Sequence, residues 1–364
     1  MSLRTQTAVL QCAAAASDAG LPIAISCSAP RVTDLPSPHH VLVRVQAVGL
    51  NPVDHKMITH FFMDGYPTGC DFCGIVESAG SCAAVSVGDR VCGGEFPYHP
   101  DNPNNGAFAQ WKVADSRQLL VLPAGWDEVD GAAVGGISWG TVAMAASDPE
   151  ALGLTGVPSK PVEKPVFILV YGGGTVTAKM VMQIFKLSGY SPIAVCSPAS
   201  APLALEYGAV GTASYTSANC VETILSIAGG VPIKYALDCI TDADSAAICF
   251  GALSRAGGRY VCLERFDERW RTRRAVKVKE VMGFEMQGID VDLGDPVYSR
   301  SADPARKADC VRWAKEVQSL LNEGLLRPPP IHEVEQGWEG ILDGLAMLQR
   351  GQVKGQKLVV RIPA

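Results

Sequence analysis

One stretch restricts the possible folds more than any other: VFILVY, then GGGTV, then TAKMVMQIFKLSGY, within residues 166–190. A run of bulky apolar residues without polar alternation reads as a strand buried on both faces, the kind found inside parallel sheets. Three consecutive glycines end it, and the residues that follow carry apolar side chains at helical spacing. The theme returns in IAVC (193–196), KYALDC (234–239) and RYVCLE (259–264), with helical segments between. Strand and helix alternating in this way predict a doubly wound parallel sheet of the α/β class.

The first 150 residues have a different grain. HVLVRVQAVGL (40–50), CGIVESAG (73–80) and GDRVCGG (88–94) are short β-rich runs punctuated by Gly, Pro, Asn and Asp, which predicts a compact β domain or barrel. The Pro-rich PSKPVEKPV (158–166) marks the change of pattern. WAKEVQSLLNEGLL and WEGILDGLAMLQRG predict two late helices, and KLVVRI a closing strand. A chain of 364 residues suits two domains, because single cores stop growing at roughly 250–300 residues. The expected division is a β-rich domain over 1–160, completed by 325–364, and a parallel-sheet domain over 161–324.

Charge and cysteine usage exclude several functions. A net charge of −6 gives no electrostatic case for nucleic acid, and the short basic stretch from Arg269 to Lys279 reads as a solvated face. The N-terminal stretch lacks the apolar run of a signal peptide, and no stretch of about 18 apolar residues occurs, so a soluble cytoplasmic protein is expected. Of twelve cysteines only Cys70 and Cys73 form a CxxC, with no second pair at metal-finger spacing. Many of the others fall in strand-like apolar runs, where a thiol acts as a small core hydrophobe.

The turn YGGGTVTA (171–178) follows a strand and opens a helix, the setting of a dinucleotide-phosphate site. Gly172, Gly173 and Gly174 remove side chains that would keep a pyrophosphate from the backbone, and Thr175, Val176 and Thr177 open a helix whose N–H groups and dipole favour an anion. The third glycine of the GxGxxG pattern falls on Thr177, so the turn alone reads equally as a tight structural loop. The surrounding strand–helix series favours the cofactor. NAD enzymes place a carboxylate about 20 residues on, for the ribose 2′-hydroxyl. Here the second strand runs into Ser197, Pro198, Ala199 and Ser200, which favours NADPH. No arginine stands in that loop; Tyr215 and Lys179 are the candidate substitutes. The two serines also read as turn formers, and Tyr215 as core.

LNPVDHKM (50–57), TGCDFCGIV (68–76), VGDRVCG (87–93), GAFAQW (106–111) and the closing KGQKLVVRI resemble the medium-chain dehydrogenase/reductases over nearly the whole chain. More narrowly, VYGGGTVTA, LSGYSPIAVCSP, YALDCIT and AGGRYV resemble the enoyl reductases that act in trans with fungal highly reducing polyketide synthases. That resemblance implies a GroES-like catalytic domain joined to a Rossmann domain. It also implies NADPH-dependent reduction of an α,β-unsaturated polyketide thioester on an acyl carrier protein. The wider family often dimerises through its dinucleotide domain; a monomer is the expectation here, and the lack of long apolar runs predicts no membrane partner. By motif position the first catalytic zinc cysteine of the alcohol dehydrogenase branch becomes Asn51, and its GHE histidine becomes Cys70, followed by Asp71. Cys92 is the single cysteine between 92 and 106, too few for a four-ligand structural site. Cys70, Asp71 and Cys73 stay open as a metal set that lacks the usual partners, and no metal is expected.

The resemblance assigns the nicotinamide-ribose side to Val53, Asp54, His55 and Lys56, with Lys56 as hydrogen-bond donor or ribose contact and Asp54 as its orienter. Lys56 reads equally as a surface lysine, and His55 as a packing or solvent-facing residue. Cys262, Leu263, Val353 and Lys354 complete the cofactor set. The substrate side falls to Trp139, Gly140, Thr141, Val142, Ala143, Met144, Ala145 and Ala146, and to Met282, Gly283, Phe284, Glu285 and Met286 in a strand-like segment. Trp139 stands where relatives often carry Thr. The late segment reads equally as sheet core or subunit contact. Two other functions stay open: a quinone or small-enone oxidoreductase with the same cofactor site, and a non-catalytic NADPH-binding subunit of a synthase.

Overall fold

A computed structural model of the protein describes residues 5–13, 20–99 and 102–363, so part of the N-terminal stretch read for a signal run lies outside the described residues. The chain divides into two compact units, Met1–Ile137 with Gln287–Ala364, and Ser138–Met286.

The first unit begins with an antiparallel pair, β1 (Thr5–Gln11) and β2 (Ile23–Pro30). Strand β3 (His40–Leu50) follows; its Val41, Val43, Val45 and Val48 are buried in the core of the main sheet. Helix α1 (Pro52–His60) comes next, then strands β4 (Asp71–Ala79), β5 (Arg90–Gly94), β6 (Trp111–Asp115) and β7 (Leu120–Val121). Helix α2 (Glu128–Val134) leads to α3 (Ile137–Ser147), whose first residue closes this part of the unit.

In the second unit the elements are β8 (Phe167–Tyr171), α4 (Val176–Leu187), β9 (Ser191–Cys196), α5 (Ala201–Glu206), β10 (Gly211–Ser214), α6 (Cys220–Ile227), β11 (Tyr235–Asp238), α7 (Ala243–Ala252), β12 (Gly258–Cys262) and β13 (Val276–Glu280). All neighbouring strands are parallel, in the order β10-β9-β8-β11-β12-β13. This is the dinucleotide-binding order: the sheet starts in its middle at β8, and the reversal between β8 and β11 leaves a crevice at the carboxyl ends of the strands. Leu169, Ile193, Ala236 and Tyr260 bury one face under α6 and α7.

The chain returns to the first unit through α8 (Pro304–Asn322), β14 (Ile331–Glu333), α9 (Trp338–Gln349) and β15 (Lys357–Arg361). Strand β15 lies between β14 and β3 in the sheet β14-β15-β3-β4-β5-β7, with β6 also paired to β3. The breaks at 137/138 and 286/287 differ from the expected 160/161 and 324/325. Helix α8 groups with the first unit because Gln318 accepts from Val121 N–H at 2.7 Å and donates to its carbonyl at 3.0 Å, while Lys307 pairs with Asp115 at 3.0 Å. The Pro-rich stretch 158–166 is a loop inside the second unit. The MGFEM segment differs too: Gly283–Gln287 is a 3-10 helix, not a strand.

Candidate active site

The glycine turn carries the geometry its sequence demands. Gly172 takes φ +79°, a left-handed conformation that L side chains resist, and the N–H groups of Gly172 and Gly173 both donate to the Val195 carbonyl at 3.0 and 2.9 Å. A Cβ on Gly173 would stand 2.9 Å from Ala194 Cβ, and one on Gly174 2.7 Å from Ser200 Oγ. Thr175 caps α4 by accepting from Ala178 N–H at 3.1 Å. Val176 and Thr177 take the first helical positions, whose N–H groups have no partner within the helix. The cradle therefore fits a pyrophosphate. Lys179 is buried beneath it and donates from Nζ to the Gly174 carbonyl at 2.6 Å; burial pulls its pKa down to about 8.

The carboxyl ends of the neighbouring strands frame this turn. Ser197 and Ser200 flank a short 3-10 turn over Pro198–Ser200, and their hydroxyls lie 3.0 Å apart. Tyr215, just past β10, is 47% exposed, which removes the core reading; its ring centroid is 6.3 Å from that of Tyr171. The Cys262 side chain is buried at the end of β12, and the Leu263 N–H donates to Thr241 Oγ1 at 3.3 Å.

Sequence reading missed the residues that organise this edge. Asp238, fully buried, accepts from the Ile240 and Thr241 N–H groups at 2.9 and 3.0 Å and from the Tyr260 hydroxyl at 2.7 Å. Thr241 itself sits at φ +66°, an outlying conformation for a β-branched residue. The available signal was the acid in YALDCIT at a strand's carboxyl end.

In the first unit the VDHK turn is the start of α1. Asn51 is its N-cap; the Asn51 backbone N–H donates to Asp54 Oδ2 at 2.8 Å, forming a capping box. Asp54 is buried, its Oδ1 accepts no hydrogen bond among the described residues, and burial pushes its pKa up to about 6 against the pull of the Cys70 thiol, the Asn51 N–H and the Lys357 ammonium. Asp54 thus fixes the first turn of α1, two residues before Lys56. Val53, His55 and Lys56 are partly exposed on α1.

Behind α1 lies a fully buried ion pair that the sequence did not disclose. Lys357 Nζ donates to Asn51 Oδ1 at 2.5 Å and to Asp71 Oδ2 at 2.8 Å. Asp71 Oδ2 also accepts from Asn51 Nδ2 at 2.9 Å, and its Oδ1 from the Gly136 and Ile137 N–H groups at 2.8 and 2.9 Å. Lys357 opens the closing strand, and only topology brings it to Asn51 and Asp71. Near the same strand, Val353 packs against the core of the first unit and Lys354 is exposed. No group of three or more His, Cys, Asp or Glu side chains among the described residues is placed to hold a metal ion, and all twelve cysteines are free thiols.

The two segments expected on the substrate side meet in the second unit. Trp139, Gly140, Val142, Ala143, Met144, Ala145 and Ala146 are all buried on α3, with Thr141 at 6% exposure. A Cβ on Gly140 would stand 2.3 Å from Met286 Sδ, so that glycine admits the methionine. Met282, Phe284 and Met286 are buried, while the Glu285 carboxylate folds back to accept from Met282 N–H at 3.1 Å and closes the 3-10 turn begun at Gly283.

Asp54 gives a prediction with a definite sign. Its folded pKa of about 6 lies above the ordinary 3.8, so between those values the folded protein holds a proton that the unfolded chain releases. Stability from this group therefore falls as pH rises from about 4 to 6, by about 3 kcal/mol in all. Asp54→Asn removes the cost. Urea unfolding should find the variant gaining on the parent between pH 4 and pH 7; a constant difference would refute the assignment.

Comparison with known proteins places the chain. Residues 37–124 match the alcohol dehydrogenase GroES-like domain. The trans-enoyl reductase sthE of Phaeosphaeria nodorum is 56% identical over 357 residues, covering 98% of this chain and 97% of that protein. The trans-enoyl reductase calK of Penicillium decumbens is 49% identical over 375 residues, covering 100% of both. Among solved structures, the CurK enoyl reductase superposes with a TM-score of 0.68 at 16% identity, covering 98% of this chain and 100% of that one. The quinone oxidoreductase of Pseudomonas syringae gives 0.68 at 17% with the same coverage, so the structural likeness speaks for the fold alone.

Proposed function

The chain belongs to the medium-chain dehydrogenase/reductase family and, within it, to the trans-enoyl reductases, and from that premise we propose that it reduces the α,β-double bond of a polyketide thioester on the acyl carrier protein of a highly reducing synthase. NADPH, when bound, supplies the hydride that reaches the substrate's β-carbon. Negative charge then develops on the thioester oxygen, a preorganised donor stabilises it, and the α-carbon takes up a proton. Lys56 is the donor in this reading, and α1 is the platform that carries it. Trp139, Thr141, Met282, Phe284 and Met286 belong to the acyl side. The protein acts in the cytosol as a monomer.

The observation that carries the reading is the Lys357 ammonium seated on Asn51 and Asp71. Asn51 holds the position of the first metal-binding cysteine in the alcohol dehydrogenase branch, and here its side chain is engaged by a fixed cation. Donors without Lewis-acid help suit conjugate reduction better than alcohol oxidation. NADPH oxidation followed at 340 nm tests the reading, with crotonyl thioesters on carrier protein and on pantetheine set against a simple quinone. Turnover of the carrier-bound thioester supports it. Turnover of the quinone alone makes the protein a general reductase, and none with either makes it a binding subunit.

Cofactor choice rests on the end of β9, where no carboxylate stands to repel a 2′-phosphate. Ser200→Asp places one beside Gly174. Its expected effect is a rise in KM for NADPH relative to NADH of at least about tenfold, the equivalent of about 1.4 kcal/mol of like-charge contact. Unchanged preference would show that the phosphate lies elsewhere.

A further inference from the structure

Helix α1 is only nine residues long, too short to hold its place by helix propensity alone. Both of its ends are instead held by buried polar side chains from distant parts of the chain. At the far end, Gln11, 1% exposed, donates from Nε2 to the Ile58 and Phe61 carbonyls at 2.9 and 2.8 Å. Its Oε1 accepts from the Met63 N–H at 3.0 Å, and the Tyr98 hydroxyl adds a bond to the Phe61 carbonyl at 3.2 Å. At the near end, Asn51 is locked between Lys357 and Asp71. Asp71 is 0% exposed and Lys357 2%.

Room for this ion pair is built into the backbone. A Cβ on Gly49 would stand 2.7 Å from Lys357 Cε, and one on Gly135, at φ +52°, 2.3 Å from Asp71 Cγ. Met57 and Ile58 already bury an apolar side of α1, so packing alone could seat the helix loosely. What the ion pair adds is direction: a fork of hydrogen bonds admits one placement of Asn51, whereas apolar contact tolerates many.

We propose that Asp71 and Lys357 are positioning residues for the reduction: together they set the start of α1, and through it the place of the Lys56 ammonium five residues beyond Asn51. The inference rests on the role given to Lys56 above, and the experiment separates the two. Steady-state reduction of crotonyl carrier protein is measured for Lys357→Met and Asp71→Asn, each with Lys56 present and in the Lys56→Ala background.

With Lys56 present, Lys357→Met and Asp71→Asn are expected to lower kcat by about 10- to 100-fold, the scale of a displacement near 1 Å. KM for NADPH is expected to stay within about twofold, so that the loss falls on kcat. In the Lys56→Ala background neither Lys357→Met nor Asp71→Asn should cost anything more, because the group they place is gone. Equal losses in both backgrounds would overturn the positioning role and leave Lys56 standing. Full activity of Lys56→Ala would overturn the Lys56 reading, and the proposal with it. If Lys357→Met does not fold, the near-isosteric Asp71→Asn decides alone.

Discussion

Replacing Lys56 with alanine is expected to lower kcat for carrier-bound crotonyl thioester by about 10²–10³-fold, the cost of losing one preorganised donor to a developing oxyanion. A donor that acts on charge present only after hydride arrival strengthens in the transition state, so kcat and kcat/KM should fall together. KM for NADPH should hardly move. If Lys56 instead contacts the cofactor ribose, the pattern reverses: KM for NADPH rises and kcat stays near the parent value. Steady-state kinetics with NADPH and thioester varied in turn distinguish the outcomes, and a fluorescence titration of NADPH into the variant checks binding directly.

The second large effect is on stability. Lys357→Met removes the cation from a carboxylate that is 0% exposed. Breaking one side of a buried pair costs about 3–5 kcal/mol, because the remaining charge keeps its desolvation penalty without its partner. Such a loss is a large share of the about 5–15 kcal/mol that holds an ordinary protein folded. Removing both partners, as in Asp71→Leu with Lys357→Met, should recover only part of it. Asp71 also accepts the N–H groups of Gly136 and Ile137 and the Asn51 amide, and these would be left buried without an acceptor. Urea unfolding of the single and double variants measures both quantities; a loss under about 1 kcal/mol in the single variant would contradict the account.

Period and punctuation made the parallel-sheet half readable. VFILVY, the glycines and the amphipathic helix each permit one local structure, and they agree with one another, so β8, the turn at Gly172 and α4 followed directly. MGFEM was misread because five residues with apolar side chains at alternate places fit a short strand and a tight helix alike. The Glu285 carboxylate on Met282 N–H decides for the helix. Lys357 was illegible for another reason. A lysine at the head of a strand looks solvated until its partners are known, and they lie at 51 and 71, about 300 positions earlier. The division of the chain was obscured similarly, since the docking of α8 depends on Gln318 meeting Val121.

The place of β15 in its sheet sets the order in which the molecule can be made. Synthesis runs from the N-terminus, and domains fold as units while the chain emerges. The second unit is one continuous segment, Ser138–Met286, and has all its strands as soon as that segment is out. The first unit begins earlier and finishes later: β3 lacks its β15 neighbour, and Asp71 its ammonium, until residues 357–361 leave the ribosome. Residues 40–137 therefore spend much of translation with β3 lacking one neighbour and Asp71 lacking its cation. That nascent piece, unlike the second unit, completes its main sheet only when the last strand arrives.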